Sequence, residues 1–329
     1  MADGTTSNAR LAVYIGLWYL GNYYFNIFNK QAGLASGGSQ FAFTLAWFQL
    51  AIGSVYAVLP WLLGVRARPT LTFAQFMQLM PLGFYTAAAH GSAIFANLSG
   101  SLSFGQIVKA GEPVFAALIG FLFYRTSISV RRLACLVPIV GGIVLASAAG
   151  CDFSLPPFIS MSIANAASAF RGGENKRVMR GELKEAIGGV SNAFACTTLW
   201  ATLLLFPAAF LSGEAARVDE FVELWRSDGL AGSSGRLQFN AIMSGIIFYL
   251  YNEISTLALG SLSGVSHSVA NTAKRAVVIV GSAFAFGESL GPAKAVGCVV
   301  AIGGVMLYAI VDELGAKVGE KAVQKAKQR

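Results

Sequence analysis

Ten times along this chain an apolar run of about 18 to 25 residues recurs, each long enough to cross the roughly 30 Å core of a bilayer as a helix. The runs centre near Tyr19, Leu50, Thr86, Val114, Val140, Ala167, Leu203, Phe248, Ala276 and Val300. Nothing of domain size is left between them. With 55% hydrophobic and only 12% charged residues, the chain also lies far from the roughly 25% charged of a soluble domain. The expected fold is an all-α membrane protein of ten transmembrane helices.

The runs fall into two sets of five. At one fixed shift Gly141-Gly142 of the fifth run meets Gly303-Gly304 of the tenth, Leu145 meets Leu307, and His90 meets Asn252. The same shift lays Lys109, Glu112 and Pro113 of the fourth run on Asn271, Lys274 and Arg275 of the ninth. The reading is an N-terminal five-helix repeat over 1–150, a C-terminal one over 151–313 and a basic tail over 314–329. Five is odd, so the second repeat enters the membrane from the opposite side, the inverted plan of many secondary transporters with a site between the halves. The Gly-Gly faces can pack within one copy or between two, which leaves a homodimer open.

In detail, the first span (Leu11 to Phe28) ends in Asn29-Lys30 before a Gly/Ser turn from Ala32 to Gln40. The third runs unbroken from Phe73 to Asn97 and the fourth from Phe104 to Tyr124. Charge then orients the bundle. The side holding both termini collects most loop cations, among them Arg66, Arg68, Arg131, Arg132, Lys176 and Arg177. The other side has only Lys30, Arg217, Arg226, Arg236 and Lys294. The positive-inside bias places both termini on the cytosol-like face. Glu214 to Asp228, with Phe221, Leu224 and Trp225 among charges, reads as an interfacial helix on the opposite face. The tail reads as an anchor beside anionic membrane lipid rather than a nucleic-acid patch.

Against this apolar background a few charges stand out. Lys274 and Arg275 lie near the middle of the run from Gly264 to Gly287, about 16 Å from either end and too deep to reach the interface. Each costs roughly 2.5 to 3.5 kcal/mol at the membrane centre on insertion scales. Lys109 and Arg171 also lie in spans, Arg171 near the end of its own, while Glu112 and Glu253 supply the carboxylates within spans. The cationic excess asks for an anion, and an arginine beside lysines suits a phosphate: the guanidinium grips two oxygens while each ammonium adds a compact charge. Simpler readings stand beside this one. Arg275 or Lys274 can pair with Glu112 or Glu253, Lys109 can pair with Glu112 one turn on, Arg171 can snorkel, and His90, His267, Tyr251 and Asn252 can serve helix packing alone.

Other chemistries find no footing. Cys135, Cys151, Cys196 and Cys298 are scattered without metal-ligand or disulfide spacing, and two histidines are too few for a metal centre. Neither a metal nor a cofactor is expected. Residues 1–10 show neither a signal-peptide core nor a transit-peptide pattern, so any targeting segment is expected to have been removed or to lie in the first span.

The stretches Leu20 to Lys30, Ser103 to Pro113, Tyr251-Asn252-Glu253 and Asn271 to Val278 together resemble the plastid phosphate translocators, triose-phosphate/phosphate translocators among them, of the drug/metabolite transporter superfamily. The resemblance extends over all ten spans. It implies strict exchange of inorganic phosphate for phosphorylated C3 compounds such as triose phosphate, 3-phosphoglycerate or phosphoenolpyruvate, by alternating access, in a plastid or plastid-derived membrane. It also implies that Lys109, Lys274 and Arg275 hold the phosphate, with His90, Arg171 and Tyr251 near the substrate's other end and Glu112 and Glu253 balancing or orienting the cations. The family pattern has Thr-His where this chain has Gly105-Gln106, and Ala93 brings no hydroxyl. The alternative is a nucleotide-sugar transporter of the same superfamily. More remote is an intramembrane lipid-phosphate enzyme, which needs an acidic metal cluster or a nucleophile beside a base that the sequence does not offer. The chain is therefore read as a transporter and not an enzyme.

Overall fold

The computed structural model describes residues 2–148, 153–179, 182–231, 236–262 and 264–327. The side chains of His267 and of 315–329, and all of Cys151, lie outside the described residues. The described chain is all-α: α1 (Ala2–Ala35), α2 (Ala42–Leu62), α3 (Phe73–Met77), α4 (Met80–Ser99), α5 (Leu102–Lys109), α6 (Glu112–Leu122), α7 (Val130–Ala148), α8 (Leu155–Val178), α9 (Leu183–Ile187), α10 (Val190–Leu211), α11 (Val218–Arg226), α12 (Leu237–Ser261), α13 (Gly264–Phe286) and α14 (Pro292–Lys327).

Seven of these segments are long and apolar enough to cross a membrane: α2, α5 with α6, α7, α10, and the apolar parts of α12, α13 and α14. The remaining three of the ten expected spans, α1, α4 and α8, have the length but carry polar residues on their inward faces. Asn22, Asn26 and Asn29 on α1, Thr86, His90 and Asn97 on α4, and Asn165 and Ser168 on α8 are all buried. Large apolar side chains point outward instead, Phe284 at 86% and Val137 at 73% exposure. An exterior this apolar is stable against lipid and not against water.

Several boundaries differ from those expected. The first helix continues through Asn29-Lys30 to Ala35, and Lys30 Nζ donates to the carbonyls of Asn97 and Gly100 at 2.9 and 2.6 Å. A cation there satisfies orphan carbonyls at the end of α4. The third run is broken into α3 and α4, and the fourth into α5 and α6. The segment read as an interfacial helix packs its apolar side on the bundle. Phe221 and Trp225 of α11 pack on Phe41 and Phe48 with ring centres 5.1 and 5.2 Å apart, and Leu224 is buried. The final helix α14 continues beyond its apolar part to Lys327, so residues 314–327 of the tail are its helical extension.

Carboxylates cap two helix starts from afar. Glu214, just before α11, accepts from the amides of Phe43 and Thr44 in the first turn of α2 at 2.9 and 2.7 Å. Glu288, just past α13, accepts from Leu102 and Ser103 of α5 at 2.7 and 2.9 Å. Each places negative charge on unpaired helix N–H groups.

The principal packings are α1 on α12, α4 on α8, α2 on α10, and α7 on α14. In the last of these, glycines let backbones touch. A Cβ at Gly142 would fall 2.4 Å from the Ala301 nitrogen, and one at Gly297 would fall 2.5 Å from the Ala146 nitrogen. Gly297→Val is therefore expected to lower the thermal transition of the detergent-purified protein, since overpacking of this kind costs about 1–3 kcal/mol. An unchanged transition would show that α14 can shift along α7 freely.

Candidate functional site

The break between α5 and α6 creates the site. Pro113 has no N–H, so the carbonyl of Lys109, four residues earlier, loses its helical donor. Gly111 fits the close packing here, where a Cβ would lie 3.1 Å from Ile143 Cδ1 and from the Val108 carbonyl. Arg275 of α13 fills the vacancy: its Nη1 donates to the Lys109 carbonyl and its Nη2 donates to Glu112 Oε2 at 2.8 Å. The arginine is 7% exposed. It thus braces both sides of the break while its charge meets the carboxylate at the start of α6.

The other cations are held differently. Lys109 Nζ donates to Ser168 Oγ of α8 at 3.1 Å rather than closing on Glu112. Lys274 Nζ sits 5.0 Å from the ring centre of Trp18 and 5.7 Å from that of Tyr251. Aromatic faces stabilise an ammonium without neutralising it, so the charge stays available to a ligand. The Tyr19 hydroxyl donates to the Ala270 carbonyl at 2.5 Å and ties α1 to α13 one turn before Lys274.

These groups line a cavity of about 340 Å³ to which α1, α4, α5, α6, α8, α12 and α13 all contribute. Lys109, Lys274 and Arg275 line it, as do His90, Arg171, Tyr251 and Glu112, so all but one of the residues that the resemblance assigns to the site converge. His90 is buried with its ring 4.4 Å from that of Phe248, and its Nε2 has no hydrogen-bond partner. The exception is Glu253. Its carboxylate pairs with Arg66 in the link after α2, and it is not part of the cavity wall. The arginine that sequence places in a loop folds back to it. The cavity therefore holds four cationic side chains against one carboxylate, a formal excess of +3 (4 − 1), larger than when Glu253 is counted with the site. Among the described residues no cluster of side chains has the makings of a metal site.

Trp18, Ser168, Asn97 and Asn271 also line the cavity without having been singled out as ligands. For Trp18 the one signal in the sequence is the density of aromatic residues between Leu11 and Phe28. The rest are ordinary polar residues whose partners come from distant helices.

A bundle with an apolar exterior and a cation-lined interior cavity is the architecture of a membrane protein that accommodates a small anion. Comparison with known proteins narrows the class. The model of the Triose-phosphate Transporter family matches residues 9–309, and the chain belongs to that family. It is 36% identical over 304 residues to phosphoenolpyruvate/phosphate translocator 3, chloroplastic, of Oryza sativa subsp. japonica, covering 91% of this chain and 74% of the relative. It is 30% identical over 315 residues to the triose phosphate/phosphate translocator, non-green plastid, chloroplastic, of Brassica oleracea var. botrytis, covering 95% and 75%. The glucose-6-phosphate/phosphate translocator 1, chloroplastic, of Arabidopsis thaliana is 29% identical over 299 residues, covering 91% and 74%.

Glu112→Gln is expected to lower the thermal transition by several degrees. Removing one partner of a largely buried ion pair costs roughly 3 kcal/mol, mostly through the charge left behind. A variant as stable as the parent would show that Arg275 does not depend on Glu112.

Proposed function

We propose that the protein is an antiporter that exchanges inorganic phosphate for phosphorylated C3 compounds across a plastid or plastid-derived membrane. Lys109 and Lys274 hold the phosphate, Arg275 stiffens and completes that grip from across the helix break, and Arg171, His90 and Tyr251 meet the organic end. The observation that carries this reading is the excess of cations lining one cavity. A phosphate monoester of charge about −1.5 to −2 offsets most of it. The volume of about 340 Å³ lies at the low end for ligand cavities, about 300–1,000 Å³, which favours a small organic phosphate over a nucleotide sugar.

The machinery is two inverted five-helix repeats, 1–150 and 151–313, with all ten long segments crossing the membrane and both termini on the cytosol-like side. The packing supports this plan. The contact of α1 with α12 has its counterpart in α8 with α4, and that of α2 with α12 in α10 with α4. Exchange of the repeats also turns the approach of Gly142 to Ala301 into that of Gly304 to Ile139. Rocking of the repeats exposes the cavity to either side in turn. Closing an empty site over unpaired cations is costly, whereas closing over bound phosphate is not. Transport is therefore coupled to exchange and is not catalysis of a reaction.

The test is uptake of labelled phosphate into liposomes containing the purified protein and preloaded with phosphate, triose phosphate, 3-phosphoglycerate, phosphoenolpyruvate, glucose 6-phosphate, a nucleotide sugar or nothing. Uptake is expected only against internal phosphate and C3 phosphates, and Lys274→Ala is expected to lower it about a hundredfold, since losing a charge-assisted contact to phosphate costs roughly 1.5–3 kcal/mol and more when desolvated. Rapid uptake into empty liposomes, or uptake only against a nucleotide sugar, contradicts the reading.

A further inference from the structure

Resting on the two-repeat exchange reading, we infer that Lys30 and Lys176 are paired latches for the two ends of the cavity. Lys30 fastens the end at the α4–α5 link in this structure. Lys176 fastens the opposite end, against the last carbonyls of α12, when the cavity faces the other way.

Lys30 joins two packed pairs of helices. It stands on α1, which packs on α12, and its ammonium donates to the carbonyls of Asn97 and Gly100 at the end of α4, which packs on α8. That end is shut. Asn22 and Asn26 precede Lys30 at helical spacing on the same face of α1; both line the cavity and are buried, as are Asn97 and Phe104 beside the link. The second repeat carries the same pattern. Asn29-Lys30 recurs as Asn175-Lys176 on α8, and Ser168, Gly172 and Lys176 keep the spacing of Asn22, Asn26 and Lys30. Here the end is open. Ser168 lines the cavity, but a Cβ at Gly172 would meet nothing within 4 Å. Arg171 and Lys176 are exposed, and so is Ser266, which holds in α13 the place that Phe104 holds in α5.

The ends differ because the last turns of α8 lean on another neighbour. Tyr124, just past α6, donates its hydroxyl to Glu174 Oε1 at 2.9 Å, and its ring lies so close that a Cβ at Gly173 would fall 2.3 Å from it. Among the described residues α8 in turn makes at most slight contact with α12. Phe286 holds the place of Tyr124 in the second repeat and has no hydroxyl with which to draw α1 away in the same manner. In the inverted plan the opposite-facing state is one in which the repeats trade conformations around a fixed site. Carried across, the bonds of Lys30 to Asn97 and Gly100 become bonds of Lys176 to the carbonyls of Leu259 and Leu262 at the end of α12. The last carbonyls of a helix have no donor within it, and a cation is favoured there. The backbone thus supplies the second latch with its acceptors, and one latch forms as the other opens.

Cysteine reporters at the counterpart positions, Gly172→Cys and Asn26→Cys, are placed singly in the parent, in Lys30→Met and in Lys176→Met. The rate at which each purified protein reacts with a polar maleimide is measured over that of the same protein without the reporter. Gly172→Cys reacts when the cavity is open as in this structure, and Asn26→Cys when it is open the other way. Loss of a latch bonded through a charged group is expected to shift the balance of states about tenfold. Lys30→Met is therefore expected to slow the Gly172→Cys reaction, and Lys176→Met to slow the Asn26→Cys reaction. Each effect is read across the site from the altered lysine, where a merely structural or solvated lysine changes nothing. Lys176 is exposed, so Lys176→Met carries the test alone if Lys30→Met does not fold. An Asn26→Cys rate that Lys176→Met leaves unchanged or raises overturns the inference. Slowing of both reporters across the site in a parent that fails to exchange phosphate for phosphate overturns the phosphate reading and leaves the latches standing.

Discussion

The missing N–H of Pro113 is the constraint on which the site depends. It leaves the Lys109 carbonyl without a helical donor deep in a helix pair, where an unsatisfied carbonyl is costly and water is scarce. The guanidinium of Arg275, from a helix more than 160 positions away, is the remedy. Because that remedy is a cation, it brings its own need for a counter-charge, which Glu112 meets from the other side of the break. One backbone defect thus fixes three charged groups and the angle at which α5 meets α6. Lys109 leaves α5 at its last residue, so the break also sets where that ammonium points.

Neutralisation stops there. Lys274 is cushioned by the faces of Trp18 and Tyr251, Lys109 by a neutral hydroxyl, and Arg171 lines the same cavity. A purely structural set of buried charges would pair to near zero. This set is paired once and then left in excess, and polar side chains turn inward on α1, α4 and α8, among them the Ser168 that accepts from Lys109. The same inward polarity lowers the hydropathy of those three helices, so the demands of the site and the apparent shortage of apolar spans have one cause.

Much of this was legible from local pattern. Apolar length gave the helices, and charges stranded in apolar runs marked Lys109, Lys274 and Arg275, because a cost that is purely local can be read from sequence. What was hidden depends on partners far apart in the chain. Glu253 looked like a companion of the site cations until Arg66 folded back from the link after α2. Pairing with Glu112 was one of two readings open for Arg275, and only the bundle selects it. The amphipathic pattern of α11 is the same whether its aromatics face lipid or Phe41 and Phe48. Pro113 was visible, but the kink it causes and the group that heals it were not. Gly105 and Gln106 stood out only by comparison with a family pattern. A Cβ at Gly105 would fall 2.6 Å from Asn97 Oδ1, a close approach that exists only once α4 and α5 have packed.

The central claim is that an anion sits in this cavity against Lys109 and Lys274, with Arg275 at the helix break. The most direct measurement is the position of arsenate, a phosphate mimic with anomalous scattering, bound to the crystallised protein. The account predicts one strong peak inside the cavity within hydrogen-bonding reach, about 3 Å, of the Lys109 and Lys274 ammonium groups. A peak confined to the basic surface, or none in the cavity at saturating arsenate, would contradict it.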